Sequence, residues 1–349
     1  HEIEEKRCIT QGEESCWTVR EDAHTTSFGV FHNGASTTPA QTVTLRVRRH
    51  DGEERTCAVE VPELAPFEMV TVEPAAHFSN LSAWLENRAG NARLSFKVSG
   101  AFTRMLCGVR RRDWRELQVT HSNFDYSTHE TDKISEGNLT AYMRTPRMPQ
   151  DVGHTELVVY PDSDPGDYRL TDDAGALSFQ SPALVTRAYA DAREKLAKFQ
   201  RSDEVLPTRI VTAFRAQAGT GALPAECSLG VIHHKRPAKH FSWMLVSKAF
   251  DSSVNWVDFE EVYGGCPASA EVVFNLYSAA SKSALTKTWT HEQLPSGKLM
   301  RLDEIFPDEN VAGFLANDHG CLSAWSAYGG FMFFSTLRKH ESLTIEHSF

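Results

Sequence analysis

Hydrophobic and polar residues alternate with a period of two along much of this chain. Val43, Leu45 and Val47 interleave with Thr42, Thr44 and Arg46, and Leu117, Val119 and His121 interleave with Gln118, Thr120 and Ser122. Side chains two apart share one face of a strand, so each run predicts a half-buried strand. Turn signals punctuate the runs: Asp51-Gly52, Gly90-Asn91-Ala92, Pro295-Ser296-Gly297 and Gly329-Gly330. Short strands between such turns predict a mainly β chain of antiparallel β-sandwich domains, jelly-roll-like in form. One stretch breaks the period. Val185, Ala188, Tyr189, Ala192, Leu196 and Phe199 recur at helical spacing, with Arg187, Asp191, Arg193, Glu194, Lys195 and Lys198 between them. Pro182 suits a first helical turn, so the pattern predicts one α-helix over 182–201.

The strand pattern also predicts a tandem internal repeat. The run Arg112-Asp113-Trp114-Arg115-Glu116-Leu117-Gln118-Val119-Thr120-His121-Ser122 lies on Arg338-Lys339-His340-Glu341-Ser342-Leu343-Thr344-Ile345-Glu346-His347-Ser348 without a gap. Upstream, Gly100-Ala101-Phe102 meets Ser326-Ala327-Tyr328, and Val43–Val47 meets Val272–Leu276. Val30-Phe31-His32-Asn33-Gly34 meets Val262-Tyr263-Gly264-Gly265-Cys266, and Phe67–Glu73 resembles Lys298–Asp303. The pieces keep one order in both halves, as a duplicated unit would. The resulting division is a β-sandwich domain over 1–135, a linking segment with strands and the helix over 136–225, and a second β-sandwich domain over 226–349.

A length of 349 residues accords with about two domains. The net charge of -10 argues against general nucleic-acid binding, which needs a positive field. The runs Arg46-Val47-Arg48-Arg49-His50 and Arg110-Arg111-Arg112-Asp113-Trp114-Arg115 carry no aromatic-rich RNA-binding signature. No apolar run reaches the roughly 18 residues of a membrane-spanning helix. Seven sparse cysteines with no Cys-x-x-Cys pair point to a soluble protein of a reducing, cytoplasmic compartment. The chain opens on His1 rather than Met, so a removed signal peptide and secretion stand beside that expectation, as does a tag scar. As a mature terminus, His1 would offer two nitrogens to copper.

Candidate chemistry gathers at the histidines. His121 and His347 take matching places in the repeat, each on the apolar face near a strand end. They are candidate catalytic acid/base groups, and candidate ligands for a divalent transition metal. A histidine cluster, His233-His234-Lys235-Arg236-Pro237-Ala238-Lys239-His240, offers His233, His234, Arg236 and His240 as ligand-binding residues. Arg236 in particular suits a bidentate anion contact. In Trp256-Val257-Asp258-Phe259-Glu260-Glu261-Val262-Tyr263, carboxylates interleave with aromatics. As a strand, this run sets Asp258 and Glu260 on one face, beside Trp256 and Tyr263 as ligand-binding platforms. Each of these features has a plainer reading, as a core-edge imidazole, a solvated basic loop or an exposed strand face.

Dinucleotide and phosphate loops, nucleophile elbows and His-Glu-x-x-His zinc motifs are all missing from the sequence. Three functional classes then remain. The first is an enzyme acting on a polar small molecule or sugar, with histidines at a cleft between two repeated sandwiches. The second is a non-catalytic carbohydrate- or protein-binding module that uses Trp243, Trp256 and Tyr263 as apolar platforms. The third is a structural protein whose sandwiches build a homo-oligomer.

Overall fold

A computed structural model of the chain describes residues 14–95, 105–124, 140–160, 166–181, 184–202, 206, 211–219, 221–232, 240–279, 281–294, 297–316 and 319–348. Strands take up 55% of the described residues against 7% helix, which makes the fold mainly β. The described strands form six antiparallel sheets.

The first two sheets are built from β1 (Glu14–Val19), β2 (Thr25–His32), β3 (Gln41–Arg48), β4 (Glu54–Val61), β5 (Met69–Val72), β6 (Gly90–Ser95), β7 (Leu106–Arg111), β8 (Leu117–His121) and β9 (Asn123–Phe124). Their orders are β4-β3-β6-β1-β9 and β5-β2-β7-β8. Alternation buries Val43, Leu45 and Val47 from β3 while Thr42 and Thr44 stay exposed. Together with Trp17, Phe31, Val72 and Cys107 they form one core between the two sheets. The short helices α1 (Pro74–His77) and α2 (Leu81–Trp84) close one end of it.

The next pair uses β10 (Thr140–Arg144), β11 (His154–Tyr160), β12 (Gly166–Asp172), β13 (Gly175–Ser181), β14 (Val185–Tyr189), β15 (Leu196–Arg201), β16 (Val211–Gln217) and β17 (Ala225–Leu229). Their orders are β10-β15-β12-β13 and β14-β11-β16-β17. The helix expected over 182–201 is not there. Its place holds β14 and β15, joined by a turn in which Asp191 Oδ1 accepts the Arg193 amide at 2.9 Å. Good helix formers lose here to tertiary pairing: β15 lies between β10 and β12 and is hydrogen-bonded on both edges. Ala197, Phe199 and Arg201 alternate inward, a period of two hidden inside the helical one.

The last pair comprises β18 (His240–Ser247), β19 (Asp251–Asp258), α3 (Glu260–Tyr263), β20 (Glu271–Ser278), β21 (Leu285–Thr290), β22 (Leu299–Arg301), α4 (Leu302–Ile305), α5 (Val311–Phe314), β23 (His319–Ser326), β24 (Phe331–Lys339) and β25 (Ser342–Ser348). The orders are β18-β23-β20-β21 and β22-β19-β24-β25. One core joins Met244, Trp256, Phe274, Leu322 and Phe333 between them. The opposite face of β19, β24 and β25 turns Val257, Met332, Phe334, Leu343 and Ile345 onto the middle pair, where they merge with Leu157, Phe199 and Phe214. Each large side chain buried in this way stabilises the contact by about 1.5–3 kcal/mol.

The sheet orders of the first and last pairs can be compared strand by strand: β1 stands where β18 stands, and so on to β8 and β25. The gapless alignment does not hold through the hairpin turns. The Arg111 amide donates to the Glu116 carbonyl at 2.9 Å across one turn, whereas Lys339 pairs with Ser342 across the other, so the first turn is longer. Arg112 therefore lies beyond the paired residues while Arg338 lies within β24. Val30 lies in β2 and Val262 in α3, so that upstream match fails as well. Gly100-Ala101-Phe102 lies outside the described residues.

Candidate functional site

Three edge strands, β8, β17 and β25, meet where the three pairs of sheets come together. Each contributes one side chain to a continuous hydrogen-bonded chain. His121 Nε2 faces His347 Nε2 at 3.2 Å, with the rings nearly perpendicular at 76°. His121 Nδ1 lies 3.0 Å from the Ser122 carbonyl, and His347 Nδ1 lies 3.0 Å from Cys227 Sγ.

These partners fix the tautomers. A carbonyl only accepts, so His121 carries its proton on Nδ1 and offers a lone pair at Nε2. His347 must then donate from Nε2 and accept at Nδ1. Burial pushes the Cys227 thiol far up and keeps it protonated, so it can donate to His347 Nδ1 at 3.0 Å, the shorter of its two contacts, the other being the Ser228 carbonyl at 3.7 Å. All three groups are thus satisfied while neutral. Neighbouring bonds tie the same junction: the Ser228 amide donates to Thr120 Oγ1 at 3.2 Å, and Glu116 Oε1 accepts from the Leu223 amide at 3.0 Å and from Ser342 Oγ at 3.3 Å.

The sequence pointed to the two histidines, and the structure brings them into contact. It missed Cys227, which lies 120 positions from His347 with no spacing signal between them. The chemistry available here is limited. A thiol held neutral is a poor nucleophile. For metal binding, Cys227 and His121 sit on opposite nitrogens of His347, so the three do not converge on one point. Among the described residues, no group of three or more His, Cys, Asp or Glu side chains is placed to hold a metal ion.

The junction makes a testable energetic unit. Replacing His347 by Ala leaves Cys227 Sγ and His121 Nε2 without these partners, and replacing His121 breaks the same bond from the other side. Denaturant titrations of His121→Ala, His347→Ala and the double variant should give a coupling of about 0.5–1.5 kcal/mol. Strict additivity would show that the two imidazoles do not interact.

The 256–263 run divides. Trp256 is core, at 4% exposure, and stacks on Phe331 at 5.1 Å with the rings 4° from parallel. The expected ligand platform at Trp256 is therefore overturned: its parity on β19 turns it between the sheets. The shared strand face of Asp258 and Glu260 is also overturned, because β19 ends at Asp258 and Glu260 opens α3. Asp258 Oδ2 lies 3.4 Å from His291 Nε2. Glu260 is exposed, and Tyr263 is partly buried with its ring edge-on to Tyr328 at 6.0 Å. The Tyr328 phenol and the Cys266 thiol are pushed up to about 12 by burial first and by Asp258 as well. The sequence did not single out His291, Cys266 or Tyr328.

His1, His233, His234 and Arg236 lie outside the described residues, and of His240 only the backbone, at the start of β18, is described. The basic runs are neutralised locally. Arg46 and Arg48 pair with Glu54 at 3.0 and 2.7 Å, Arg110 with Glu73 at 2.7 Å, and Arg112 with Glu21 at 3.1 Å. No helix among the described residues is long and apolar enough to cross a membrane.

The other prominent surface is the outer face of the sheet β18-β23-β20-β21. Trp243 is 62% exposed, Tyr277 49%, Leu245 43% and Trp325 37%. Register places Trp243, Ser323 and Asn275 in one row across the sheet, and Leu245, Cys321 and Tyr277 in the next. Trp325 sits two residues along β23 from Ser323, about 8 Å diagonally from Trp243 on strand spacings. Thr286 Oγ1 donates to Asn275 Oδ1 at 2.8 Å on the same face. The matching face of β4-β3-β6-β1 instead carries Thr42, Arg46, Arg48, Glu54 and Glu60, tied into ion pairs and hydrogen bonds. Neither a protein-family model nor a curated protein sequence matches this chain.

Proposed function

We propose that the chain is a non-catalytic binding protein built from β-sandwiches, in which the first and last pairs of sheets are copies of one unit and the last has become the ligand-bearing one. The observation that carries this reading is the aromatic face of Trp243, Trp325 and Tyr277. Flat apolar side chains standing out of a sheet are costly to leave in water, and the corresponding face of the other unit avoids them with charges. Partly exposed Asn275 and exposed Thr286 supply donors and acceptors at the same level. That mixture suits a neutral carbohydrate, whose C–H faces stack on aromatic rings while its hydroxyls bond between them. The His121–His347–Cys227 chain then serves as a hinge pin between units rather than as a catalytic group, which favours binding over the enzyme reading.

A tryptophan-fluorescence titration with neutral oligosaccharides of three to six sugars tests this. At least one glycan should bind, and Trp243→Ala or Trp325→Ala should weaken it about ten-fold, since losing a stacking contact of about 1.5 kcal/mol is about a ten-fold change. Both variants should keep the native melting curve, because the rings are exposed. A flat panel, or binding that survives both substitutions, rejects the proposal.

A further inference from the structure

The last pair of sheets contains a cavity of about 500 Å³, within the size range of small-molecule sites. It opens between the β18–β19 hairpin, the edge strand β22, helices α4 and α5, and Pro149 from the middle pair. Leu299, Leu302, Val311, Leu315 and Phe250 give it a mainly apolar wall. Ser253 and Thr336 also line it, and these two are 8% and 2% exposed.

Their hydroxyls bond to each other at 2.6 Å. Two hydroxyls carry two protons, and one mutual bond uses only one of them. The second proton, at a buried position on the cavity wall, lets the pair donate a further hydrogen bond into the cavity.

The first pair of sheets shows what this place looks like when closed. Counting two residues along from the strand partner of His121 reaches Gly108, faced by Phe28. The same count from the partner of His347 reaches Thr336, faced by Ser253. In the first pair the Phe28 ring covers the glycine, its Cζ only 3.1 Å from where a Cβ would stand, and Phe28 is 7% exposed. Where one unit has a phenyl ring over a glycine, the other has two small hydroxyl side chains beside a void.

Most of the charges at the rim are engaged by neighbouring protein groups. Arg301 Nε lies 3.2 Å from Asp303, the Glu304 carboxylate accepts the Arg301 amide at 2.8 Å, and Arg338 pairs with Asp151. Lys248 donates to the Ala316 carbonyl at 2.9 Å. The buried polar groups are neutral hydroxyls.

We infer that this cavity binds a small, uncharged, mainly apolar molecule that places one hydroxyl or carbonyl oxygen against the Ser253–Thr336 pair. The site is separate from the aromatic sheet face.

The test uses the full chain and the uncharged fluorophore N-phenyl-1-naphthylamine as probe, displaced by 2-naphthol, naphthalene or 2-naphthoate. The wild type should bind the probe, and 2-naphthol should displace it at about ten-fold lower concentration than naphthalene, the worth of one satisfied buried hydrogen bond. Naphthoate should do no better than naphthalene. Ser253→Ala with Thr336→Val should erase the naphthol advantage while naphthalene still competes. Ala312→Trp, at an exposed position on the rim, should abolish probe binding with a native melting curve, and Trp243→Ala should leave it intact. Equal competition by naphthol and naphthalene, preference for naphthoate, or probe binding that survives Ala312→Trp overturns the inference.

Discussion

Trp256→Ala will destabilise the protein by about 3–5 kcal/mol, the range for deleting a fully packed large aromatic. The indole is 4% exposed and sits among three phenyl rings, stacked on Phe331 at 5.1 Å and Phe274 at 6.1 Å and edge-on to Phe333 at 5.7 Å. Part of the loss is transfer of the ring to water, and part is the void left between two sheets whose backbones are held by strand pairing and cannot collapse into it. Trp243→Ala is the internal comparison. Its ring stands 62% exposed on the outer face of a neighbouring strand, so its removal should change stability by no more than about 0.5 kcal/mol. Denaturant titration of the two variants without ligand separates them. A Trp256→Ala protein with wild-type stability would restore the view of Trp256 as a surface platform.

The contrast between these two tryptophans shows how far the sequence is legible. Period-two alternation identifies strands and states which residues share a face, and Val43, Leu45 and Val47 are buried as that alternation requires. It does not say which face meets a partner. Trp256 lies on the face turned to the other sheet of its own pair, while Val257, beside it, is buried against the middle pair. Both faces of β19 are covered, so parity alone could not place the tryptophan.

The helical reading of 182–201 failed for a related reason. Its helical apolar set mixes the two faces of the strands that form, Leu196 lying opposite to Phe199, and the choice was made by β10 and β12, which pair with β15 on either side. The histidine pair was found because matching positions in two similar runs can be compared directly, whereas Cys227 has no counterpart in that comparison. The Ser253–Thr336 cavity wall depends on two strands more than 80 residues apart.

Asp172→Ala is the second large expected effect, again about 3–5 kcal/mol at neutral pH. Asp172 closes the β12–β13 hairpin opposite Gly175, whose φ of 101° the tight turn requires. Its side chain is fully buried, and its Oδ1 accepts the Ala174 amide at 2.9 Å. The same carboxylate reaches across to the other sheet of its pair. It accepts from Arg187 Nη2 at 2.8 Å and Nε at 3.1 Å, and from the Tyr189 hydroxyl at 2.8 Å. Truncation leaves a buried phenol without its acceptor and a mostly buried guanidinium with only the Gly175 carbonyl at 2.9 Å, and that is costlier than the pair itself is stabilising.

The pH dependence gives the sign. Burial alone would push the Asp172 carboxyl up, but the hydrogen bonds from Arg187, Tyr189 and Ala174 outweigh it and hold the group below its ordinary value of 3.8. A carboxyl depressed in the folded state binds protons more readily when unfolded. Its contribution is therefore complete above the ordinary value and is lost as pH falls through the folded one. The stability gap between wild type and Asp172→Ala should stay constant from pH 7 to about pH 5 and narrow below about pH 4. A gap that widened with acid would mean that the buried carboxyl is held protonated in the fold, and that the Arg187 contact is not an ion pair.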